Sequence, residues 1–313
     1  MSTEHVAIVF VSYNCGADIA QLIRQIDELP HDGFRLSYVV VDNASTDDSV
    51  EQLRALNVDH TTIVPSPVNL GFGAGCNLAF KQIGTCDKVL LLNPDVELFE
   101  DSIQALFDAS LSDPAAKIWG GVTLNPDGTP DRQSAWREPT LRSVIGWALF
   151  LDVLHQHWRG YSIQSYPDLV GQRSVDSISG CFLLIDHQLL SSLEGFDERF
   201  FMYSEEIDLC RRARELGASP TQYASARVIH IGSATVNSFN KLRFLYQSKL
   251  KYCRKHWPTI PYQLAVFSTR LGVHLRVIGL WIKHWLSKSE ATGAKAQQWR
   301  QILVTREVWS DHG

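Results

Sequence analysis

The sequence predicts an α/β protein built on an open parallel sheet, and three observations support this fold class. Apolar, β-branched runs alternate with helical patterns along the first half of the chain. Two of these runs end in aspartates, and a glycine-rich segment follows a third. The 313 residues, 45% hydrophobic and 20% charged, are enough for one large domain with an appendage. We divide the chain into an α/β domain at 1–240 and a basic, helical region at 241–313.

The predicted elements follow in order along the chain. We place strands at 7–11, 36–41, 62–64, 88–92 and 117–122, and helices near 18–29, 48–56, 73–83 and 99–111. Such alternation implies parallel strands joined by right-handed crossovers. After a turn at 125–128, residues 130–172 are rich in Trp, His and Arg; we predict them to be irregular and to cover a ligand cleft. The sheet resumes at 177–185.

Two aspartates stand where predicted strands end. Asp42 follows the run at 39–41, and Asp95 follows Asn93 and Pro94 after the run at 89–92. Ligands of open parallel sheets bind at the carboxyl ends of the strands, and Pro94 takes the chain out of the ladder just before Asp95. Acids on such turns suit Mg²⁺ or Mn²⁺ bound to a diphosphate. The alternative is that each aspartate only caps the helix that follows it.

Three more acids open a predicted helix behind a run of aromatic residues. Ile207, Cys210 and Ala213 recur at a helical spacing and Gly217 offers a C-cap, so Glu205, Glu206 and Asp208 fall in the first helical turn. A helix N-terminus favours the ionised carboxylate, which beside an apolar wall can act as a general base toward a hydroxyl. The alternative is that these acids only stabilise their helix.

The glycine-rich segment at 69–77 follows a strand and opens a helix. A dinucleotide fingerprint needs glycines at the first, third and sixth positions, but from Gly71 the sixth position is Cys76. This spacing argues against an NAD-dependent dehydrogenase. The helix N-terminus can still approach a phosphate or a sugar closely; alternatively, the glycines are purely conformational.

The cysteines and the N-terminus indicate a cytoplasmic protein. None of the six cysteines forms a CxxC pair, so we interpret them as reduced, buried thiols. The chain passes from MSTEH directly into a strand without a basic n-region, which predicts no signal peptide.

The last third of the chain is strongly basic. From 216 to 289 there is no Asp or Glu but eleven Lys and Arg, in a chain of net charge −5. This asymmetry implies an anionic partner. The apolar stretch at 260–286 is interrupted by Arg270, Arg276 and Lys283, which argues against a spanning helix and favours one lying on an anionic membrane. The alternative is a helical hairpin packed on the α/β domain or in a homodimer; no motif supports nucleic-acid binding.

Eight ordered motifs then carry a resemblance to a known family. They are VSYN at 11–14, VVVDNASTDD at 39–48, NLGFGAGCN at 69–77, LLNPD at 91–95, NPDG at 125–128, SGCFLLI at 179–185, FDERFFMYSEEIDLCRR at 196–212 and HIGSAT at 230–235. Together they resemble the inverting GT-A glycosyltransferases of family 2, especially the rhamnosyltransferase branch, over about 5–257. The resemblance implies a Rossmann-like nucleotide-sugar-binding sheet with flanking helices and a C-terminal helical appendage.

The resemblance also implies roles for particular residues. Asp95 and His230 would hold the divalent metal, Mn²⁺ or Mg²⁺, and Glu206 would be the catalytic base with Glu205 beside it. Donor contacts would come from Val11, Tyr13, Asn14, Asp42, Asn69, Gly71, Phe72, Asn77 and Asn93. On the acceptor side would lie Gly180, Cys181, Tyr203 and Asp208.

Two positions depart from the family pattern. Glu205-Glu206 stands where the family usually has Glu-Asp, so the base is one methylene longer. Asn93-Pro94-Asp95 lacks the first aspartate of a DxD motif, so metal binding would depend more on the donor diphosphate and on His230.

The sequence therefore predicts an enzyme of cell-surface polysaccharide synthesis, such as that of O-antigen. It would move L-rhamnose from dTDP-rhamnose onto a glycan or polyprenyl-diphosphate-linked acceptor at the inner membrane face. Alternatives are another donor, such as UDP-galactofuranose or a UDP-hexose, or a non-catalytic carbohydrate-binding module.

Overall fold

The computed structural model describes residues 3–56, 58–232 and 238–310. It separates into two compact units. The first comprises 1–137, 165–201 and 205–235, and the second comprises 138–164, 202–204 and 236–313. The second unit thus includes two segments that precede residue 240. The functional division of the chain at 240 stays a prediction.

The first unit is built on a nine-stranded sheet, with the strand order β3-β2-β1-β4-β10-β6-β11-β5 and β8 paired to β11. Its strands are β1 (Glu4–Ser12), β2 (Phe34–Asp42), β3 (Thr61–Pro65), β4 (Lys88–Leu92), β5 (Val96–Leu98), β6 (Ile118–Leu124), β8 (Gln172–Ser174), β10 (Phe182–Asp186) and β11 (Thr221–His230). Short strands β7 (Ala135–Trp136) and β9 (Ser177–Ile178) pair separately. Its helices are α1 (Gly16–Glu28), α2 (Ser49–Arg54), α3 (Phe72–Phe80), α4 (Ser102–Ser112), α7 (His187–Ser192) and α8 (Glu205–Glu215).

The sheet is buried on both faces, as near-continuous apolar strands require. Along β1, Val6, Ile8 and Phe10 belong to one apolar cluster, which includes residues of α1 and α4. Ala7 and Val9, which point the other way, belong to a second cluster with residues of α3, α7 and α8. Successive side chains of a strand point to opposite faces of the sheet. The sheet therefore separates two apolar clusters, and each cluster is covered by its own helices.

The predicted parallel sheet is confirmed for β1, β2, β3 and β4, but not for the strand at which the sheet resumes. β10 runs antiparallel to both of its neighbours, β4 and β6, while β1, β2, β3 and β4 are parallel. The alternation of strand and helix stops after β6, which ends at the carboxyl edge of the sheet. Because β10 begins at that same edge, no crossover returns the chain to the other end, and the strand must enter antiparallel.

The prediction that residues 130–172 are irregular is also wrong in part, because this stretch contains two helices. They are α5 (Leu141–Ala148) and α6 (Leu151–Arg159), both in the second unit. A reciprocal capping box between Thr140 and Ser143 begins α5. The role of this stretch over a ligand cleft stays a prediction.

The second unit is helical within its described residues. With α5 and α6 it contains α9 (Ser238–His256), α10 (Thr259–Ser287), α11 (Glu290–Val304) and α12 (Arg306–Trp309). Its core includes Tyr246, Val273 and Ile302, with partly buried Trp147 and Trp299 against them. Despite the basic residues that interrupt it, α10 is long and apolar enough to cross a bilayer: one window reaches a mean hydropathy of 1.2 and is 28% buried.

Candidate active site

Asp42 ends β2 at the carboxyl edge of the sheet and is 2% exposed. The Ser45 N–H donates to its Oδ2 at 3.2 Å, while Oδ1 is buried and accepts no hydrogen bond from the described residues. It does not cap α2, whose N-cap residue is Asp48, so the capping alternative is wrong here. A buried acceptor without a donor is costly, which makes Oδ1 a candidate ligand contact.

The loops after β1 and β2 are tied together by Asn14, which has a left-handed backbone at φ 56°. Its N–H donates to Ser45 Oγ at 2.9 Å, and its Oδ1 accepts the Thr46 N–H at 2.8 Å. Val11 and Tyr13 beside it are half-buried. These two hydrogen bonds hold the two loops together beside Asp42.

The glycine-rich loop is fixed to the end of β2 by Asn43. Its Nδ2 donates to Asn69 Oδ1 at 3.1 Å and to the Gly71 carbonyl at 2.9 Å, and its Oδ1 accepts the Leu70 N–H at 2.8 Å. Gly71 has φ +81°, and a Cβ there would lie 1.9 Å from the Phe201 carbonyl oxygen. That carbonyl accepts the Phe72 N–H at 3.0 Å. The loop therefore reaches the aromatic segment that precedes α8.

Asn77, predicted as a donor contact, is used inside the protein. Its Oδ1 accepts the Phe196 N–H at 2.8 Å, and its Nδ2 donates to the Phe196 carbonyl at 2.9 Å and to Glu198 Oε1 at 3.1 Å. These bonds favour a bracing role between α3 and the 196–198 turn.

Asp95 and His230, predicted as metal ligands, lie together. Asp95 sits in the turn between β4 and β5, and its carbonyl accepts the Ile231 N–H at 2.9 Å. No helix follows directly, so the capping alternative for Asp95 is wrong. His230 ends β11, and its Nε2 lies 3.5 Å from Asp95 Oδ2. Residues 233–235 of the HIGSAT motif lie outside the described residues.

A third member of this cluster, Asp131, was missed from the sequence. Its side chain is 2% exposed, and its Oδ2 lies 3.4 Å from His230 Nδ1. Its Oδ1 accepts hydrogen bonds from Thr123 Oγ1 and, at 2.7 Å, from the Gln133 N–H. The two carboxylates, Asp131 first and then Asp95, raise the pKa of His230 to about 9.

The donor set of this cluster fits a divalent cation. Carboxylate oxygens suit Mg²⁺ and Mn²⁺, and a neutral imidazole suits first-row transition metals, so His230 would release its proton as an ion binds. Within 3–56, 58–232 and 238–310, no group of three or more His, Cys, Asp or Glu side chains is arranged to hold a metal ion without other ligands. An ion held by Asp95 and His230 would therefore take its remaining ligands from water or from a substrate phosphate.

Glu206, in the first turn of α8, is the predicted base. Its Oε1 accepts the Gly180 N–H at 3.2 Å, and Gly180 has no room for a side chain because a Cβ would lie 2.7 Å from the Phe72 ring. Burial raises the pKa of Glu206, with smaller opposing effects from the N–H groups of Glu206 itself and Gly180. The raised pKa is opposite to our expectation that the helix N-terminus favours ionisation, and it makes the ionised Glu206 carboxylate a stronger base.

The other two acids of this turn differ from Glu206. Glu205 is 2% exposed and faces Gly73 of the glycine-rich loop. Asp208 is fully buried and accepts from Arg212 Nε at 2.8 Å, while the other two guanidinium nitrogens of Arg212 donate to the Leu193 and Gly195 carbonyls. This pair braces α8 and does not support an acceptor contact by Asp208.

Cys181 lies between the two groups of acids. The Asn93 N–H donates to its carbonyl at 3.0 Å, at the point where β4 and β10 meet. Burial raises the pKa of its thiol, and the nearby charges of Asp95, Asp131 and Glu206 raise it further. The base and the metal cluster therefore flank one stretch of the carboxyl edge. All six cysteines are free, and five of them are buried.

Tyr203 belongs to the second unit. It and Ser204 have left-handed backbones, at φ 69° and 67°, immediately before α8. Its predicted acceptor role stays a prediction.

Solved structures with this architecture are GT-A glycosyltransferases. The mannosyltransferase PcManGT of Pyrobaculum calidifontis, in complex with GDP-Man and Mn²⁺, matches with a TM-score of 0.59 at 13% identity, over 99% of this chain and 88% of that one. GalNAc-T7 with UDP, GalNAc and Mn²⁺ matches with a TM-score of 0.60 at 12% identity, over 84% of this chain and 49% of that one. The predicted GT-A fold with C-terminal helices is confirmed.

The family follows from the sequence comparisons. The model of glycosyl transferase family 2 matches residues 7–192. The chain belongs to this family and is a glycosyltransferase. It is 29% identical to the N-acetylglucosaminyl-diphospho-decaprenol L-rhamnosyltransferase of Mycobacterium tuberculosis, over 73% of this chain and 76% of that protein. It is 27% identical to the low-salt glycan biosynthesis hexosyltransferase Agl10 of Haloferax volcanii, over 72% and 67%.

Proposed function

We propose that this chain is an inverting, metal-dependent glycosyltransferase that moves L-rhamnose from dTDP-rhamnose onto a glycan or polyprenyl-diphosphate-linked acceptor. One observation carries the reaction type: Glu206, a half-buried carboxylate whose pKa is raised by desolvation, and the cluster of Asp95, His230 and Asp131 flank the same carboxyl edge. The catalytic domain would span about 1–240, and the membrane-facing region would follow it.

Asp95 and His230 would hold the divalent ion, Mn²⁺ or Mg²⁺, together with the donor diphosphate. When bound, the ion would neutralise charge on the departing nucleoside diphosphate. Asp131 would act as a positioning residue: with Oδ2 beside His230 Nδ1, it orients the imidazole so that Nε2 points toward Asp95.

Glu206 would take the proton of the acceptor hydroxyl. As the acceptor oxygen forms its bond to the anomeric carbon, the bond from that carbon to the diphosphate oxygen breaks, and the hydroxyl proton moves to the Glu206 carboxylate. A diphosphate leaves as an anion without protonation, so one base suffices, and a single displacement inverts the anomeric centre.

The nucleotide would bind along the ends of β1 and β2. The unsatisfied Asp42 Oδ1 offers an acceptor for a base or sugar N–H or O–H group, and Val11 and Tyr13 lie in the same stretch. Asn43 and Gly71 hold the glycine-rich loop against this edge, so backbone groups can approach the donor closely.

The choice of L-rhamnose rests on the Mycobacterium relative, whose name includes both an L-rhamnosyl transfer and a diphospho-decaprenol acceptor. The name of the hexosyltransferase relative specifies no donor, so the alternative of another donor, such as UDP-galactofuranose or a UDP-hexose, is tested beside dTDP-rhamnose. We further propose that the protein acts in polysaccharide synthesis as a peripheral protein on the cytoplasmic membrane face, in line with the basic stretch at 216–289.

The test is transfer to a short-chain polyprenyl-diphosphate-linked N-acetylglucosamine, offered with dTDP-rhamnose, UDP-galactofuranose or a UDP-hexose. Mass spectrometry should detect added deoxyhexose only with dTDP-rhamnose and a divalent ion. Asp95→Asn should abolish transfer and weaken nucleotide binding in Mn²⁺. Full activity in EDTA, or in Asp95→Asn, would contradict the metal role, and transfer only from a UDP-sugar would contradict the donor.

A further inference from the structure

The helix α6 in the second unit exposes its apolar side chains to solvent. None of its residues is buried. Leu151, Leu154 and Trp158 are 48%, 51% and 79% exposed, and their i, i+3, i+7 spacing places them on one face. An amphipathic helix normally turns such a face to the core. Here the apolar face is largely open to solvent within the described part of the chain, in a stretch where we predicted no helix.

α6 is held at both ends. Phe150 before it and Gly160 after it have left-handed backbones, at φ 62° and 79°. Asp152 turns toward the following loop, where its Oδ1 accepts from Ser162 Oγ at 3.0 Å and from the Ile163 N–H at 2.7 Å. These contacts fix α6 in place while its apolar face stays exposed. Asp152, the one acid of α6, is used in an internal contact.

A stacked arginine ties the base of α6 to α10. The Arg276 guanidinium lies 3.7 Å from the centre of the Trp147 ring and 4.4 Å from that of Phe150. It also donates to the Trp147 carbonyl at 2.8 Å and to the Gly272 carbonyl at 3.0 Å. Through these contacts α10 fixes the corner from which α6 extends.

α10 carries a second exposed apolar face, which we call the α10 stripe. It consists of Ile260, Leu264, Phe267, Leu271, Ile278, Ile282 and Trp285, each 36–76% exposed. Alternating spacings of three, four and seven put them on one side of the helix over about 38 Å, at 1.5 Å per residue. On the opposite side of its N-terminal half, Ala265, Thr269 and Val273 are buried. In that half the helix packs against protein on one side and exposes the stripe on the other.

The basic residues around these two apolar faces distinguish between two possible partners, a second copy of the chain and an anionic bilayer. A second copy of the chain would bring two basic surfaces together, because the 216–289 stretch has eleven Lys and Arg and no acid to pair with them. An anionic bilayer supplies the missing negative charge. Exposed Trp158, Trp281 and Trp285 also suit the boundary between headgroups and acyl chains.

We propose that the second unit docks on an anionic phospholipid bilayer, with α6 inserted by its apolar face and the α10 stripe lying along the surface. This inference deepens the proposed function and rests on it, since a polyprenyl-linked acceptor is confined to the bilayer. It assigns membrane contact to α6 as well as to the basic C-terminal stretch.

The test is flotation of the full chain with vesicles of phosphatidylcholine alone or mixed with phosphatidylglycerol. The wild type should bind the anionic vesicles at least about tenfold better, and binding should fall with salt. Leu154→Gln with Trp158→Ser on α6, and separately Ile282→Gln with Trp285→Ser on the α10 stripe, should each lower binding at least about tenfold. The control is Leu111→Ser with Val170→Ser, two exposed apolar positions of the first unit that should leave binding unchanged.

Three outcomes would overturn the proposal. They are unchanged binding of the α6 variant, equal binding to neutral and anionic vesicles, and a wild-type dimer in light scattering that the α10 variant makes monomeric. Hydrolysis of the nucleotide sugar without acceptor, measured in parallel, should be the same in all these variants. Loss of vesicle binding with hydrolysis intact, or hydrolysis absent with vesicle binding intact, therefore separates this proposal from the proposed function.

Discussion

The two compact units treat charged and apolar side chains in opposite ways. The first unit buries carboxylates at the carboxyl edge of its sheet: Asp42, Glu205 and Asp208 are no more than 2% exposed. The second unit exposes apolar side chains, with Trp158 at 79% and Trp285 at 76%. Each arrangement is unfavourable for an isolated protein and is typical of a binding surface. The first unit is suited to a polar ligand, and the second is suited to an apolar surface.

The largest effect on turnover should come from replacing Glu206, the proposed base. Glu206→Gln keeps the shape and the acceptor for the Gly180 N–H but cannot take a proton, so kcat should fall by roughly 10²–10⁴. Donor affinity and vesicle binding should stay near wild type, as measured by calorimetry and flotation. Glu205→Gln is the matched control and should be much milder. The assignment is wrong if the control is inactive while Glu206→Gln turns over normally.

Replacing glycines tests how tightly the glycine-rich loop packs against the segment before α8. Gly71→Ala combines φ +81° with a Cβ 1.9 Å from the Phe201 carbonyl oxygen, and should lower the free energy of unfolding by about 3 kcal/mol. Gly84→Ala has a positive φ but nothing within 4 Å, so it should cost only about 1 kcal/mol. Denaturant unfolding of both variants gives the comparison, and equal costs would mean that the loop adapts.

Asp131 is a buried acid of the first unit that contacts His230 and has no predicted contact with the substrate. Asp131→Asn should weaken Mn²⁺ binding by about 10–100-fold. Titration of the Mn²⁺ electron paramagnetic resonance signal, with and without nucleotide, measures this loss independently of turnover. Asp127→Asn, in the nearby exposed turn, is the control. Unchanged Mn²⁺ affinity in Asp131→Asn would remove its positioning role.

The smallest effect we expect is on the pH dependence of the free energy of unfolding. Burial raises the pKa of Glu206 in the folded state, so the wild type should lose stability as pH rises from the ordinary glutamate range through that raised value. The free energy of unfolding should fall by about 1.4 kcal/mol for each pH unit between the unfolded-state and folded-state pKa values. Glu206→Gln cannot ionise, so its melting temperature should match or exceed that of wild type at pH 8, with the gap closing at low pH. A variant less stable than wild type at pH 8 would mean that the carboxylate is stabilising.

Sequence patterns predicted most of the first unit, because buried strands and amphipathic helices leave local periodicities. The strands containing Val9, Val40 and Leu90, and the helix opening with Glu205, lie where they were expected. The direction of β10 could not be predicted, since it depends on the edge at which a distant segment returns. Asp131 escaped notice for a similar reason: only folding brings it to His230, 99 positions along the chain.

The second unit shows a different limit. Leu151, Leu154 and Trp158 have a helical spacing, but the stretch is short and interrupted by His and Arg. A helix with no buried face contributes little to a core, so composition suggested a loop. The C-terminal helices were more predictable, because α10 is long and its apolar residues repeat along one face.

The central claim is that one base and one metal-held leaving group perform a single displacement on the first unit. The most direct test is nuclear magnetic resonance of the first-formed glycoside, recorded before any spontaneous anomer exchange. A single displacement predicts an anomeric configuration opposite to that of the sugar in the donor. Retention of the donor configuration would require a second displacement or a different attack geometry, and would contradict the role assigned to Glu206.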